Sequence, residues 1–196
     1  VSENNLSPND LILPIFLKEG KNKKEKIKSM PGIFRFSIDR LPNILDKAEK
    51  LKIPMVALFP YTAENKKDNN GSEPINQNNL ICRSIRFIKK RYKNIGVMTD
   101  VALDPYTTHG HDGVLVGAKV DNDLTVEKLV QQALLLAQAG ADVVAPSDMQ
   151  DGRIGAIRHA LEQNGHHNTI ILAYSAKYAS SLYGPFRNAV GSDQTM

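Results

Sequence analysis

The sequence has very little cysteine and no long apolar run. Cys82 is the only cysteine among 196 residues, which excludes an intramolecular disulfide and any metal site built from several thiolates. Such usage fits a reducing, intracellular compartment. No apolar run approaches the roughly 18 residues that a membrane-spanning helix needs. We therefore expect a cytoplasmic protein with no membrane partner.

The sequence also lacks the usual marks of nucleotide and nucleic-acid binding. No G-x-G-x-x-G turn follows a predicted strand, which disfavours a dinucleotide-binding fold. The net charge of +4 is modest, and the densest basic run, residues 18–28, has neither interleaved aromatic residues nor helical apolar spacing. We interpret this run as a solvated loop or helix face and expect no nucleic-acid partner.

Short apolar segments that alternate with helix-forming stretches indicate the fold class. The predicted strands cover residues 11–17, 54–60, 95–103, 141–145 and 169–174. They show no period-2 alternation, and a helix-forming stretch separates each from the next, which is typical of a parallel sheet covered on both faces. Right-handed crossovers leave two candidates, an open doubly wound sheet or a (β/α)8 barrel.

Polar residues that follow several different strands favour the barrel. These residues are Asp100, Asp104, Ser147, Asp148 and Lys177. Barrel active sites are assembled in this way, from the ends of several strands. A barrel usually needs about 250 residues, whereas about five strand–helix units are present here. We predict an α/β chain, residues 1–196, that forms one domain of an incomplete (β/α)8 TIM barrel, with residues 1–10 as an arm.

The clearest helix is predicted over Thr125–Gly140, because Leu129, Ala133 and Leu136 recur on one face. We expect Thr125 to cap its start and Gly140 to close its end. The polar residues 106–121 before it are predicted to be a functional loop.

Lys177 follows the last predicted strand, in the stretch Tyr174–Ser180 (YSAKYAS). No acidic residue is near it in sequence, and small and aromatic residues surround it. A lysine in an apolar pocket loses its proton more readily and can attack a carbonyl to form a Schiff base. A structural lysine or an anion-binding lysine is the alternative.

The stretch of residues 100–113 (DVALDPYTTHGHDG) also carries reactive side chains. Several carboxylates and two histidines within so few residues suggest a metal site. The alternative is a loop whose aspartates and histidines cap turns and bond to the backbone. The spacing does not decide between the two.

Seven motifs together resemble the porphobilinogen synthase (5-aminolevulinate dehydratase) family. In chain order they are LILPIF, SMPGI, VALFP, DVALDPYTTHGHDG, AGADVVAPSDMQDGRIGAIR, YSAKYAS and YGPFR. They run in the family's order from about residue 11 to residue 187. The resemblance implies a TIM barrel that condenses two 5-aminolevulinate molecules to porphobilinogen, with loss of two waters, in tetrapyrrole biosynthesis.

The same resemblance implies roles for individual residues. Lys177 matches a lysine that forms a Schiff base with substrate, and Asp100 matches the acidic residue at the reaction centre. Arg187 matches an arginine that contacts a substrate carboxylate. The residues matched to positioning or structural roles near the pocket are Tyr183, Ser147 and Asp148.

The loop of residues 100–113 also indicates the metal subtype. Zinc-dependent members have cysteines where this chain has Ala102, Asp104 and Asp112, so no zinc is expected at the active site. The pattern resembles the cysteine-free class, many of whose members are stimulated by magnesium or potassium. Asp104 and Asp112 are therefore predicted to hold a hard cation weakly, or to bind the substrate amine directly. A glutamine, Gln150, stands where the family usually has methionine, and we expect it to alter packing only.

The family pattern continues for more than a hundred residues beyond this chain, through a second Schiff-base lysine, and its members form homo-octamers. The first hypothesis is an active synthase whose remaining residues lie outside this chain, and we expect the 196 residues neither to fold nor to turn over alone. One alternative to it is an inactive fragment or assembly subunit of that enzyme. The other is a Schiff-base aldolase, which the DPYTTHGHDG and YGPFR motifs disfavour.

Overall fold

The computed structural model describes residues 3–178 and 180–192, so Ala179 of the YSAKYAS motif and the outermost residues of the predicted domain lie outside the described part. The strands are β1 (Ile12–Lys18), β2 (Lys24–Lys26), β3 (Phe34–Phe36), β4 (Met55–Tyr61), β5 (Gly96–Val101), β6 (Val114–Val116), β7 (Lys119–Asp121), β8 (Val143–Pro146) and β9 (Ile170–Ile171). The α-helices are α1 (Pro42–Lys50), α2 (Leu80–Arg91), α3 (Asn122–Ala139), α4 (Arg153–Gln163) and α5 (Tyr183–Val190). Single 3-10 turns cover Pro8–Asp10, Ile38–Arg40, Glu64–Lys66 and Glu73–Ile75.

Five parallel strands form the body of a seven-stranded sheet. Its order is β2-β3-β1-β4-β5-β8-β9, and the neighbours from β1 to β9 are parallel. An α-helix follows each of these five strands along the chain, which confirms the predicted five strand–helix units. Each new strand is added on the same side of the previous one, as in a barrel wall. A doubly wound sheet reverses direction instead.

All four helices from α1 to α4 pack on one face of the sheet, which we call the outer face. Strand residues such as Leu17, Leu58, Val97 and Val144 point to it and are fully buried. The matching helix residues are Leu45, Ile85, Leu129 and Ile157. This arrangement agrees with the predicted barrel, in which the helices form a single outer ring.

The opposite face, which we call the inner face, has a smaller core. Alternation along the strands turns Phe16, Phe59, Met98 and Ala145 towards it. Helix α5 covers part of this face through Ala189 and Val190, which are almost completely buried. The inner face is therefore the side on which residues of α5 meet residues of the strand ends.

Strand β9 differs from the fully buried strand that was predicted over residues 169–174. Its regular pairing covers only Ile170–Ile171, although the N–H groups of Leu172 and Tyr174 continue to donate to carbonyls of β8 and its end. Ile170 is 57% exposed. The exposure arises because β9 forms the edge of the sheet in the described part of the chain, where no further strand covers it.

Two segments that were interpreted as loops contain hairpin strands. The basic run includes β2, which pairs antiparallel with β3, and its Glu25 forms an ion pair with Arg35. The stretch 106–121 ends in the β6–β7 hairpin. Three-residue strands are too short to produce a period-2 pattern in the sequence.

The cap of helix α3 lies earlier than predicted. The Asp121 carboxylate accepts from the N–H of Leu124 at 3.0 Å, whereas the Thr125 hydroxyl accepts from the N–H of Val114. Gly140 does end the helix, with a left-handed φ of 107°. Thr125 thus ties the hairpin to the helix instead of capping it.

Replacement of this cap should lower stability by a measurable amount. We expect Asp121→Ala to cost about 1 kcal/mol in the free energy of unfolding, because an N–H at the helix start loses its acceptor. Asp123→Ala, in the same first turn without the capping bond, is the matched control. Equal melting temperatures for the two variants would contradict the assignment of the cap.

No helix within residues 3–178 and 180–192 has the length and apolarity needed to cross a membrane.

Candidate active site

The carboxyl ends of strands β5, β8 and β9 bring predicted site residues together on the inner face. Asp100 lies near the end of β5, Ser147 directly follows β8, and Tyr174 follows β9. Parallel strands end at the same edge of a sheet, and alternation places all three on the inner face with Met98 and Ala145. The dispersed polar residues of the sequence therefore form one cluster.

These residues surround a cavity of about 170 Å³. Its lining consists of Phe59, Asp100, Asp104, Ser147, Tyr174, Lys177, Tyr183, Phe186 and Arg187. Six of the residues singled out from the sequence thus share one cavity, whereas Asp148 and Asp112 do not line it. The cavity combines an amine, a guanidinium, two carboxylates and four aromatic rings among its lining groups.

Lys177 reaches the cavity from the segment after β9. Its ammonium Nζ donates to the backbone carbonyl of Ser147 at 2.9 Å and lies 5.8 Å from the centre of the Tyr183 ring. The residue as a whole is exposed, and two carboxylates share its cavity. The predicted apolar, desolvated pocket was therefore wrong, since residues distant in sequence, Asp100 and Asp104, supply the charges.

Helix α5 supplies Tyr183 and Arg187 from consecutive turns of one face. Phe186 anchors the helix, because its ring meets Phe59 edge to face with centroids 5.1 Å apart. The Arg187 guanidinium donates to the carbonyl of Ser192 at 3.0 Å through one nitrogen. In the described part of the chain this is the one side-chain hydrogen bond of Arg187, so its other N–H groups can meet an anionic ligand in the cavity.

Asp100 has a strongly raised pKa. Burial, reinforced by the negative charge of Asp104, raises the pKa of Asp100 to about 7, and hydrogen bonding by Ser147 and the charge of Lys177 oppose the rise only in part. Its Oδ1 is buried and has no hydrogen-bond partner within residues 3–178 and 180–192. A carboxyl group with a pKa near neutrality can both accept and donate a proton at physiological pH.

Asp104 and Asp112 extend this acidic cluster. Burial raises the pKa of Asp104, with Lys177 and Arg187 opposing it, and burial together with Asp104 raises the pKa of Asp112 well above its usual range. Asp112 Oδ1 already accepts from the N–H of Leu103 at 2.6 Å.

The acidic cluster is not a complete set of metal ligands. In the described ranges, no three His, Cys, Asp or Glu side chains converge as a group that could hold a metal. Magnesium usually keeps several waters and is bound through one or two carboxylates, so two aspartates supply only part of its coordination shell. The predicted cation contacts of Asp104 and Asp112 stay a prediction.

Asp148 points away from the cavity. Its side chain is fully buried, forms an ion pair with Arg153 Nε at 2.9 Å and accepts from the N–H of Gln150. These bonds shape the turn that leads into α4. Gln150 packs in the same turn, where its buried Oε1 has no hydrogen-bond partner among the residues that the structure describes.

Sequence reasoning did not select three of the residues that line the cavity: Phe59, Tyr174 and Phe186. Phe59 is recognisable only once the inner face is known, because it is two residues beyond Ala57 in the alternation of β4. Tyr174 and Phe186 lie inside the YSAKYAS and YGPFR motifs, next to residues that were selected. Their position beside Lys177 and Arg187 was the available indication.

Comparison with known proteins identifies the family. The family model described as "Delta-aminolevulinic acid dehydratase" matches residues 1–196. The chain belongs to the delta-aminolevulinic acid dehydratase family. Its sequence is 54% identical over 196 residues to the dehydratase of Bradyrhizobium diazoefficiens, and 48% identical over 195 residues to that of Chlamydia pneumoniae. The chain spans 56% and 59% of the lengths of these two dehydratases.

A solved structure of a dehydratase agrees with the barrel interpretation. The porphobilinogen synthase of Toxoplasma gondii ME49, in complex with the reaction product porphobilinogen, superposes on the whole chain with a TM-score of 0.96 at 43% identity. The chain covers 56% of that dehydratase. This match confirms the predicted fold, part of a TIM barrel. The sequential order of the parallel strands is the order found in a barrel wall.

Proposed function

We propose that the protein carrying this chain is a porphobilinogen synthase, a lyase that condenses two 5-aminolevulinate molecules to porphobilinogen. The observation that carries the proposal is the shared cavity of Lys177, Asp100 and Arg187 at the carboxyl ends of the strands. It holds an amine for a ketone, a carboxyl group with a pKa of about 7, and a guanidinium for a carboxylate. Membership of the dehydratase family supports the same activity.

The first step assigned to this cavity is covalent. The unprotonated amine of Lys177 attacks the ketone carbon of one 5-aminolevulinate, a C–N bond forms, and the ketone oxygen leaves as water to give a Schiff base. The carbonyl of Ser147, which now accepts from Nζ, holds the amine at the cavity before substrate arrives.

Asp100 is the group we assign to proton transfer. Formation of the Schiff base needs a proton delivered to the departing oxygen, and later steps need one removed from carbon. A carboxyl group with a pKa of about 7 serves both purposes.

Arg187 and Tyr183 are assigned to substrate binding. A planar guanidinium binds a carboxylate through two parallel hydrogen bonds, which fits the acidic end of 5-aminolevulinate. Tyr183 lies beside Lys177 and limits where the substrate chain can run. The Ser147 side chain, which favours ionised Asp100, has a positioning role.

We propose further that the protein is a cytoplasmic homo-octamer, activated by magnesium or potassium without active-site zinc. These properties follow from the resemblance to the cysteine-free class. No step of the reaction above passes through a metal.

Trapping of the intermediate tests the proposed function. The full natural protein is incubated with 5-aminolevulinate and reduced with borohydride, and its peptides are mapped by mass spectrometry while porphobilinogen is assayed in parallel. We expect a substrate adduct on Lys177 and porphobilinogen in solution, with the Lys89 peptide as the unmodified internal control.

Other outcomes separate the alternatives. Porphobilinogen without an adduct on Lys177 would overturn the covalent role of this lysine. The absence of both porphobilinogen and the adduct would support the inactive assembly subunit. Cleavage of phosphorylated sugars would support the aldolase.

A further inference from the structure

Helix α5, which carries Arg187 and Tyr183, ends against cationic side chains from two distant parts of the chain. Arg35 on β3 donates through Nε to the carbonyl of Ala189 at 2.8 Å and through a terminal nitrogen to that of Asn188 at 2.6 Å. Lys67 donates to the carbonyl of Gly191 at 2.6 Å. Three carbonyls at the end of one helix therefore accept from these two residues.

These bonds satisfy groups that the helix itself leaves unpaired. The last four carbonyls of an α-helix have no intrahelical partner, and the negative end of the helix dipole attracts cations. Arg35 is only 8% exposed, and the Lys67 side chain is 6% exposed. Lysine and arginine side chains are almost never buried this deeply unless they are paired. At the low dielectric of a buried site, their charges act strongly on the helix end.

Arg35 is itself held firmly on its other sides. It forms an ion pair with Glu25 at 2.7 Å, and its guanidinium lies 4.1 Å from the centre of the Tyr61 ring. The same ring closely approaches Gly191, where an added Cβ would come within 2.8 Å of it. The end of α5 is thus fitted against Tyr61 and Arg35, with no room for a side chain at position 191.

A third contact joins the same hairpin region to the helix. The Ser29 hydroxyl lies 3.0 Å from the carbonyl of Pro185 and 3.0 Å from Asn188 Oδ1. Contacts therefore bracket Arg187 in sequence, with Pro185 before it and Asn188 after it.

We propose that Arg35 and Lys67 are positioning residues that hold Arg187 at the cavity. Neither side chain lines that cavity, so both act through the backbone of α5. A small rotation or withdrawal of this helix moves the guanidinium of Arg187 away from a substrate carboxylate. This inference rests on the proposed function, in which Arg187 binds that carboxylate.

The test is Arg35→Lys in the full natural protein, because lysine keeps the charge but has no planar fork to reach two carbonyls and Glu25 together. We expect KM for 5-aminolevulinate to rise about tenfold while kcat stays within about threefold, since substrate binding is weakened and the covalent chemistry is not. Lys67→Gln should raise KM in the same direction, and Lys67→Arg should restore it.

The matched control is Arg158→Lys. Arg158 also bridges two backbone carbonyls, those of Thr169 at 2.7 Å and His166 at 3.0 Å. These carbonyls precede β9, at the opposite end of the sheet from the cavity. We expect this variant to leave KM unchanged.

The failure of the inference differs from the failure of the proposed function. A wild-type protein that makes no porphobilinogen contradicts the function. Equal KM in Arg35→Lys, Lys67→Gln and Arg158→Lys, or a loss of kcat alone, overturns the positioning role. Amide hydrogen exchange over residues 184–192 measures the anchoring of the helix independently of the kinetics. Only Arg35→Lys and Lys67→Gln should exchange faster there than the wild type. Unchanged exchange in both would also overturn it.

Discussion

Lys177→Arg should abolish both the covalent intermediate and turnover. Arginine keeps the positive charge and much of the volume, but its guanidinium does not form a Schiff base with a ketone. We expect porphobilinogen formation to fall by about 10³-fold or more, equivalent to roughly 4 kcal/mol of lost transition-state stabilisation. Borohydride reduction followed by peptide mass spectrometry should find no adduct at position 177.

The control for this variant is Lys89→Arg. Lys89 forms an ion pair with Asp142 at 2.9 Å, away from the cavity. Its replacement should leave turnover and the adduct on Lys177 intact. If Lys177→Arg retained wild-type turnover, Lys177 would not be the residue that binds the substrate covalently.

Asp100→Asn should reduce turnover and, at alkaline pH, increase stability. Amide replacement removes the group that exchanges protons, for which we expect a loss of about 10²–10⁴-fold in kcat. It also removes a buried negative charge beside Asp104. The carboxyl group of Asp100 therefore increases turnover but lowers stability at alkaline pH.

The pH dependence of stability follows from the raised pKa of Asp100. Because the folded-state pKa is about 7 and the unfolded value is about 4, the folded protein holds this proton more tightly. The stabilisation is therefore fully present below pH 4 and is lost as pH rises to 7. At pH 8, Asp100→Asn should raise the free energy of unfolding by about 1–3 kcal/mol, and at pH 4 it should change it little.

Chemical denaturation at pH 4 and pH 8 measures this difference. Asp123→Asn is the control, because Asp123 is exposed and its carboxylate accepts a hydrogen bond from the neighbouring Asn122 side chain. It should behave like the wild type at both pH values. A wild-type protein that loses no more stability than Asp100→Asn between pH 4 and pH 8 would show that Asp100 titrates normally.

Several parts of the fold were predictable because they depend on local patterns. The apolar stripe that includes Leu129 and Leu136 predicted α3, and the position of Asp100 at a strand end predicted its place at the cavity. The cap of α3 was predicted four residues too late. Thr125 satisfied the sequence pattern of a helix cap. The true cap, Asp121, is also the last residue of β7, a strand too short to recognise from the sequence.

The surroundings of the site were not predictable in the same way. Lys177 has no acidic neighbour in sequence, yet Asp100 and Asp104 line its cavity. Asp148 was selected with Ser147 because both follow the same strand and both match family residues near the pocket, but in the structure Arg153 pairs with the Asp148 carboxylate. Distances across a sheet depend on strand order, which one strand's residues do not encode.

The sequence by itself determined the periodic elements, the family motifs and the residue types available for chemistry, because these depend on neighbours along the chain. Only the tertiary structure decided that α1 to α4 cover one face and that the acidic cluster meets Lys177. It also decided that Arg35 and Lys67 donate hydrogen bonds to carbonyls at the C-terminal end of the helix that carries Arg187. These arrangements join residues up to 154 positions apart, and the packing of the sheet and its helices brings such residues into contact.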